Sequence, residues 1–456
     1  MKRSANLLVC LIMLVAMVAI LLPAAPVAAQ EEVEFSENEV LSQFPDQLTF
    51  RIRVSSPEEE IVRAEFAYSN LNLYSPESYT VEKVVVPQGD DIILEYTLDT
   101  RDLTTPPMMR YIYHWEVELA SGADFISDSY TASYVDNRYT WKVMENDQVG
   151  VWWHDRPDDF GDKVFEIATA AVGMEEELFE TKLESQLLVV INNDPDEFAS
   201  WHDIPHDWVG GQTFPDDGIT VQIVNTYDSN TDWLYSVIPH EISHIFFSQL
   251  TYNPSVSVPY WLNEGVAQHN EMVTHDWLEA QMRDAAAAGD LIPLSKLANG
   301  FGSYNTDRIY LAYDEALSAV NYLVETYGSE GLAALLAAYK EGLRTDKAFP
   351  QALGVSATQF ELDWAASLGA VGYQISTTRP APLFLPSPTF GPAGNSTPQS
   401  ATTVASTPTS DSSEAVTPRP TPEQPAKSRG PLGPCLSGTA VLGFGLAGIW
   451  NRRRSQ

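Results

Sequence analysis

The sequence predicts a multidomain chain: an all-β immunoglobulin-like sandwich over residues 31–143, an α+β domain over residues 144–375, and a disordered Pro/Ser/Thr-rich stalk leading to an apolar tail. Three observations carry this. The first stretch alternates apolar and polar residues with a period of two. The second mixes short apolar runs with apolar residues at helical spacing. The third is almost devoid of large apolar residues until its last segment.

Residues 1–29 are set apart from the fold. A short basic start (Lys2, Arg3), an apolar run over residues 7–22, and the small residues Val27 and Ala29 at cleavage spacing read as a signal peptide cut before Gln30. Cys10 lies at the start of that run, where it cannot become the first residue of a lipoprotein. The only other cysteine is Cys435, so the mature chain has no pair to close an internal disulfide, and its stability comes from its core.

In the sandwich region Leu48, Phe50, Ile52 and Val54 alternate with Thr49, Arg51 and Arg53. Val62, Ala64, Phe66 and Tyr68 repeat the pattern, as do Tyr111, Tyr113, Trp115, Val117 and Leu119, and the short run Tyr139, Trp141, Val143. About six or seven such strands separated by turn signals, among them Gln88-Gly89-Asp90 and Ser121-Gly122, suggest two packed antiparallel sheets. From residue 144 the pattern changes. Residues 149–153 and 187–191 read as strands, residues 162–183 as a helix, and residues 219–224 as a further strand forming the edge of a cleft, where an extended chain could pair. Helices dominate afterwards, and Tyr313, Leu317, Val320, Val324 and Tyr327 recur at helical spacing.

The chemistry concentrates in His240-Glu241-Ile242-Ser243-His244. On a helix this spacing stacks two imidazoles one turn apart on one face, with a carboxylate beside them, the arrangement that holds Zn²⁺ and activates a water. The flanks, residues 233–238 and 245–250, are mostly apolar, as befits a helix buried beneath a cleft. The chain then supplies Trp261-Leu262-Asn263-Glu264-Gly265, whose Glu264 completes a set of two His and one Glu, leaving a fourth position open. Glu241, a carboxylate outside the ligand set, suits the general base that takes the water's proton.

At these residues the sequence resembles the gluzincin metallopeptidases, most closely the small peptidase MA-like domains related to thermolysin and to aminopeptidase N. The resemblance covers about residues 144–368 and rests on P-H-E-I-S-H-I-F-F, P-Y-W-L-N-E-G-V-A and Y-D-E-A-L-S-A-V-N-Y-L-V-E-T-Y-G. It implies a zincin-like α+β fold, His240, His244 and Glu264 as zinc ligands, Glu241 as base, and Tyr313 as a hydrogen-bond donor in the transition state. Nineteen residues separate His244 from Glu264, about the family's spacing. The metzincin extension is missing, since Phe247 and Leu250 stand where its Gly and His would be.

Two departures sharpen the expectation. The aminopeptidase N-like enzymes carry a G-A-M-E-N type strand whose Glu grips a free amino group, whereas this chain reads Gly210-Gly211-Gln212-Thr213-Phe214. Endopeptidase action is therefore favoured. Thermolysin-like enzymes place an Asp one turn after the third ligand to orient a ligating His, and Gln268 stands there in this chain. Tyr310, one turn before Tyr313, competes with it for the donor role. His202 and His206 are four apart, but Pro205 between them disfavours a helix and hence a second metal pair. His269 and Glu271 are expected to point away from the site, and the acidic loop 228–232 lacks the Gly and terminal Glu of an EF-hand.

After about residue 376 the chain is a Pro/Ser/Thr stalk through residue 429, too poor in apolar residues to bury a core. Residues 430–456 form an uncharged span ending in Arg452-Arg453-Arg454, a pattern that fits a weak membrane anchor with its basic end in the cytoplasm. The layout resembles the C-terminal sorting signals of bacterial surface proteins, with Pro434-Cys435 as the candidate processing point. A formal charge of −36, from 62 acids against 26 bases, argues against nucleic acid or an anionic membrane surface as partner. The expected protein is an exported, surface-tethered zinc metallopeptidase acting on peptides or proteins. Its rival is a non-catalytic adhesion or wall-binding protein on a degenerate peptidase fold, against which the intact His240, Glu241, His244 and Glu264 count.

Overall fold

A computed structural model describes residues 33–71, 79–101, 105–202, 210–225, 231–301, 304, 306–375 and 436–437. The leader with Cys10, the stalk, and all but two residues of the tail, Cys435 included, lie outside the described residues.

The amino-terminal unit contains β1 (Glu34–Gln43), β2 (Gln47–Ser55), β3 (Ile61–Asn70), β4 (Thr80–Val84), β5 (Asp91–Asp99), β6 (Met109–Leu119), β7 (Asp124–Ile126) and β8 (Tyr130–Tyr134). One antiparallel sheet runs β1-β2-β5; the other runs β4-β3-β6-β7, with β8 also on β6. Alternation sends one face of each strand inward: Leu48, Phe50, Ile52 and Val54 from β2 meet Tyr111, Tyr113, Trp115 and Val117 from β6. Phe66 sits at the centre, its ring 4.8 Å from Phe50 and 4.7 Å from both Tyr96 and Trp115. Val62 departs from the expected inward row. A register shift between Ile61 and Arg63 turns it out to 53% exposure while Ile61 fills the core, the ordinary effect of one extra residue in a strand.

A second sheet contains β9 (Lys142–Glu145), β10 (Val149–Trp153), β11 (Leu187–Asn192), β12 (Gly211–Phe214) and β13 (Ile219–Ile223). Helices α1 (Asp158–Leu178) and α2 (Pro195–Ala199) interrupt these strands. The order is β12-β13-β11-β10-β9: β10, β11 and β13 are parallel, and β9 and β12 antiparallel to their neighbours. Three sequence expectations shift here. The run through Val143 belongs partly to β9, which pairs with β10 rather than with the sandwich. The helix expected at 162–183 begins at Asp158, because Pro157 sets an extended entry and Asp158 and Asp159 suit a helix start. The strand expected as the cleft edge, β13, is interior; β12 lies outside it, and among the described residues the two-residue β14 (Leu436–Ser437) pairs beyond. Four residues, two of them polar, are too few to show a period.

The two faces of this sheet have different tasks. Leu188, Val190, Val221 and Ile223 join the sandwich core, so the amino-terminal unit packs on one face. Leu187, Val189 and Ile191 meet α1 and α3 (Leu234–Thr251) on the other, through Val164, Ile167, Ile242, Ile245 and Phe246. The remaining elements, α4 (Tyr260–His269), α5 (Leu278–Ala288), α6 (Leu294–Leu297), α7 (Thr306–Lys340), α8 (Thr345–Leu353) and α9 (Ala357–Ser367), form a helical body. Its core includes Leu262, Val266, Val320, Leu335, Phe349 and Trp364. α7 is broken at Gly328, whose φ of 76° only glycine adopts without strain. Among the described residues no helix is long and apolar enough to cross a membrane.

Candidate metal centre

α3 is buried on almost every side, and the four-residue spacing brings His240 and His244 to one face with ring centroids 5.0 Å apart. α4 crosses beside it and presents Glu264. Gly265 makes that approach feasible: a Cβ there would stand 2.3 Å from the Ala316 carbonyl oxygen and 2.7 Å from Val320 Cγ2, both on α7. Only a residue without a side chain lets α4 and α7 touch at the point where Glu264 turns toward the imidazoles.

The ligand atoms of His240, His244 and Glu264 lie within 4.8 Å of one another. Glu264 Oε2 is 3.5 Å from His240 Nε2 and 3.9 Å from His244 Nε2. All three residues are buried, at 5%, 1% and 0% exposure. Neither Nε2 atom nor either Glu264 oxygen has a hydrogen-bond partner within the protein. Buried polar atoms are costly when unsatisfied, so four of them converging on one point is the signature of a cation site. The donor set of two imidazoles and one carboxylate fits Zn²⁺ with an open position.

The outer nitrogens settle which atoms face inward. His240 Nδ1 is 3.0 Å from Glu271 Oε1, and His244 Nδ1 is 3.0 Å from Asn263 Oδ1. Both oxygens accept, so each Nδ1 carries the proton and each Nε2 turns its lone pair to the centre. Burial works against charging His240, but Glu264 and Glu271 outweigh it and push its imidazole up to about 10. Burial raises Glu264 in turn, and the charges of His244 and His240 overcome that and hold it below its ordinary value. The two carboxylates therefore favour positive charge at this point.

Glu271 overturns the expectation that it points away. α4 ends at Asn270, so helical projection no longer applies, and the Met272 N–H donates to the Tyr235 carbonyl at 3.0 Å. That bond lays the segment along the first turn of α3. Glu271 then accepts from Ser236 Oγ at 2.5 Å as well as from His240, with His275 Nε2 at 3.4 Å. It takes the orienting role for which Gln268 stood in the wrong chemistry. His269 does turn away, to Asn321 Oδ1 at 2.7 Å.

Glu241 is fully buried, and the Thr213 hydroxyl on β12 donates to its Oε2. Tyr313, from α7, is 3% exposed, and Phe301 stands edge-on to both Tyr313 and Tyr260 at 4.9 Å. Tyr260, a residue without a sequence signal, faces Glu264 and Tyr313. Burial first, then the charge of Glu264, raise its phenol well above the ordinary value. Tyr310 is half-buried. His202 bonds Gln212 on β12, while His206 and residues 228–230 lie outside the described residues. Among the described residues the centre is the one cluster of three or more metal-binding side chains.

Residues 168–370 match the Peptidase MA superfamily, a segment that contains His240, Glu241, His244 and Glu264. They form a peptidase MA-like domain. Solved structures similar to parts of this chain include an M1 zinc metallopeptidase from Deinococcus radiodurans, 12% identical over 70% of this chain and 90% of that one, with a TM-score of 0.33. An aminopeptidase N family protein from Idiomarina loihiensis is 9% identical over 69% and 73%, TM-score 0.34. OgpA from Akkermansia muciniphila is 12% identical over 25% of this chain, TM-score 0.19, and the alignment spans 31% of its own length. Scores this low carry no argument, and the peptidase MA-like assignment rests on the superfamily match. No curated protein matches the chain.

Proposed function

We propose that the chain is a zinc-dependent peptidase that hydrolyses peptide bonds within chains rather than at a free amino terminus. The observation that carries this is the convergence of four buried, unpartnered ligand atoms from His240, His244 and Glu264 beside a carboxylate, Glu241, that is not part of the set. Zinc bound by these three residues would supply Lewis acidity and bring the pKa of water toward neutrality. Glu241 takes the proton from the attacking water and returns it to the leaving amine. Tyr313 donates to the oxyanion. The sequence of β12, Gly211-Gln212-Thr213-Phe214, contains no carboxylate to hold a free amine.

The reading extends to the regions around the domain. The two-sheet amino-terminal unit is taken as immunoglobulin-like, a packing partner for the catalytic sheet. Residues 1–29 and 430–456 are taken as an export signal and a surface tether. Removal of residues 376–456 should release an enzyme of unchanged specific activity.

The test is zinc analysis of the purified chain together with a peptide-library cleavage profile, on wild type and Glu241→Gln. One equivalent of zinc in both and internal cleavage only in the wild type support the reading, with a loss of at least about a hundredfold in the variant. A Glu241→Gln chain that cleaves at the wild-type rate would overturn it. Zinc without cleavage in either would favour the non-catalytic adhesion protein.

A further inference from the structure

Thr213 lies on β12, and its hydroxyl reaches across to the base. It is wholly buried, and its Oγ1 donates to Glu241 Oε2 while lying 3.5 Å from the Glu241 carbonyl oxygen. The placement follows from alternation. Phe214 turns toward the sandwich core, which leaves Thr213 on the helix side of the sheet. There its neighbour across the ladder is Thr220 on β13, followed by Gln222, whose Nε2 donates to Thr220 Oγ1 at 2.7 Å. All three are fully or almost fully buried in a layer where the adjacent strand β11 presents Leu187, Val189 and Ile191. A polar row in an apolar layer, where β12 meets α3, needs a reason beyond packing, because burying hydroxyls costs stability that valine would not.

We propose that Thr213 is a positioning residue for Glu241. Its hydroxyl engages one carboxylate oxygen and locks the side chain in one rotamer, so the base meets the attacking water through a fixed oxygen and does not swing toward the imidazoles. A carboxylate in a charged site has several cations to turn to, and one short neutral donor selects among its orientations without adding charge. The inference rests on the peptidase reading of Glu241.

The experiment compares wild type, Thr213→Val, which keeps the shape without the hydroxyl, and Thr213→Ser, which keeps the hydroxyl. Turnover and KM are measured on one cleaved peptide, with zinc content and melting temperature for each. Thr213→Val should lower kcat about tenfold with KM and zinc unchanged, and Thr213→Ser should stay near wild type. Equal losses in both variants would make the role one of packing, and an unchanged kcat in Thr213→Val would remove it. Crystal structures of the zinc-loaded wild type and Thr213→Val provide a readout that does not depend on activity: the Glu241 carboxylate should leave its wild-type rotamer in the variant. An unmoved carboxylate overturns the proposal even if the wild type cleaves nothing, whereas absence of cleavage with a moved carboxylate counts only against the peptidase reading.

Discussion

The two cores of this molecule are built from different materials. Inside the sandwich the buried polar residues are Thr49, Ser56, Ser69, Thr100, Thr105 and Ser127, with Asp136 neutralised by Arg138 at 2.7 Å. Inside the peptidase MA-like half Glu175, Glu241, Glu264, Glu271, Asp314, Glu315 and Glu361 are buried alongside His240 and His244. The first core does what area burial alone accomplishes. The second keeps ionisable groups away from water, which burial penalises, and each must be matched to a donor, a cation or a proton. Some are matched as caps: Glu315 accepts from the Ile292 N–H at 2.8 Å and Glu361 from the Leu294 N–H at 3.2 Å. Glu264 and Glu271 lie against the imidazoles of His240 and His244, and Glu175 accepts from Asn270. Buried charge marks where function draws on stability.

That contrast can be broken most sharply at the third ligand. Glu264→Ala should abolish peptide hydrolysis and leave a chain that loses zinc on gel filtration, since two imidazoles alone do not close the set. A variant that keeps a full equivalent of zinc would remove Glu264 from the centre.

The opposite perturbation is Trp115→Ala in the neutral core. It should cost about 3–5 kcal/mol of unfolding free energy, as for other large aromatic truncations, without changing zinc stoichiometry in the folded chain. Because Leu188, Val190 and Val221 of the second sheet share that core, unfolding followed by far-ultraviolet and zinc-release signals should shift together. Separate transitions would make the two cores independent.

Next in size is Glu271→Ala. Loss of the carboxylate that holds His240 Nδ1 should weaken zinc affinity about ten- to a hundredfold, read by chelator competition, with Glu271→Gln intermediate because its amide oxygen still accepts. Wild-type affinity in Glu271→Ala would leave the contact without consequence for the metal.

The smallest effect belongs to Glu175. It is wholly buried on α1, bonded by Asn270 Nδ2 at 2.8 Å, and burial raises it to about 8, only partly offset by Ser243 and Asn270. The folded chain therefore keeps a proton that the unfolded chain gives up near 4.5, and stability falls as pH rises from that value through about 8. Glu175→Gln, neutral at every pH, should gain about 1–2 kcal/mol relative to wild type between about pH 6 and 8. A constant difference across that range would show that Glu175 is already ionised when folded.

What residue order determined by itself is whatever depends on near neighbours along the chain. Spacing of four places His240 and His244 on one face of any helix, and alternation assigns Phe50 and Trp115 to the inside of any strand pair. Glu264 was legible because it sits in its own short helical segment with a recognisable pattern. Only tertiary structure decided the rest. Glu271 reaches His240 because the chain turns back after Asn270, and no periodicity links residue 271 to residue 240. Thr213 meets Glu241 through β12, an element of four residues that no window resolves. Val62 turned outward through a bulge that its alternation concealed. The physical reason is common to all three: contacts between elements depend on how loops close and which strand ends beside which helix. Those free energies are shared among many residues, whereas periodicity records only the local preference of each element.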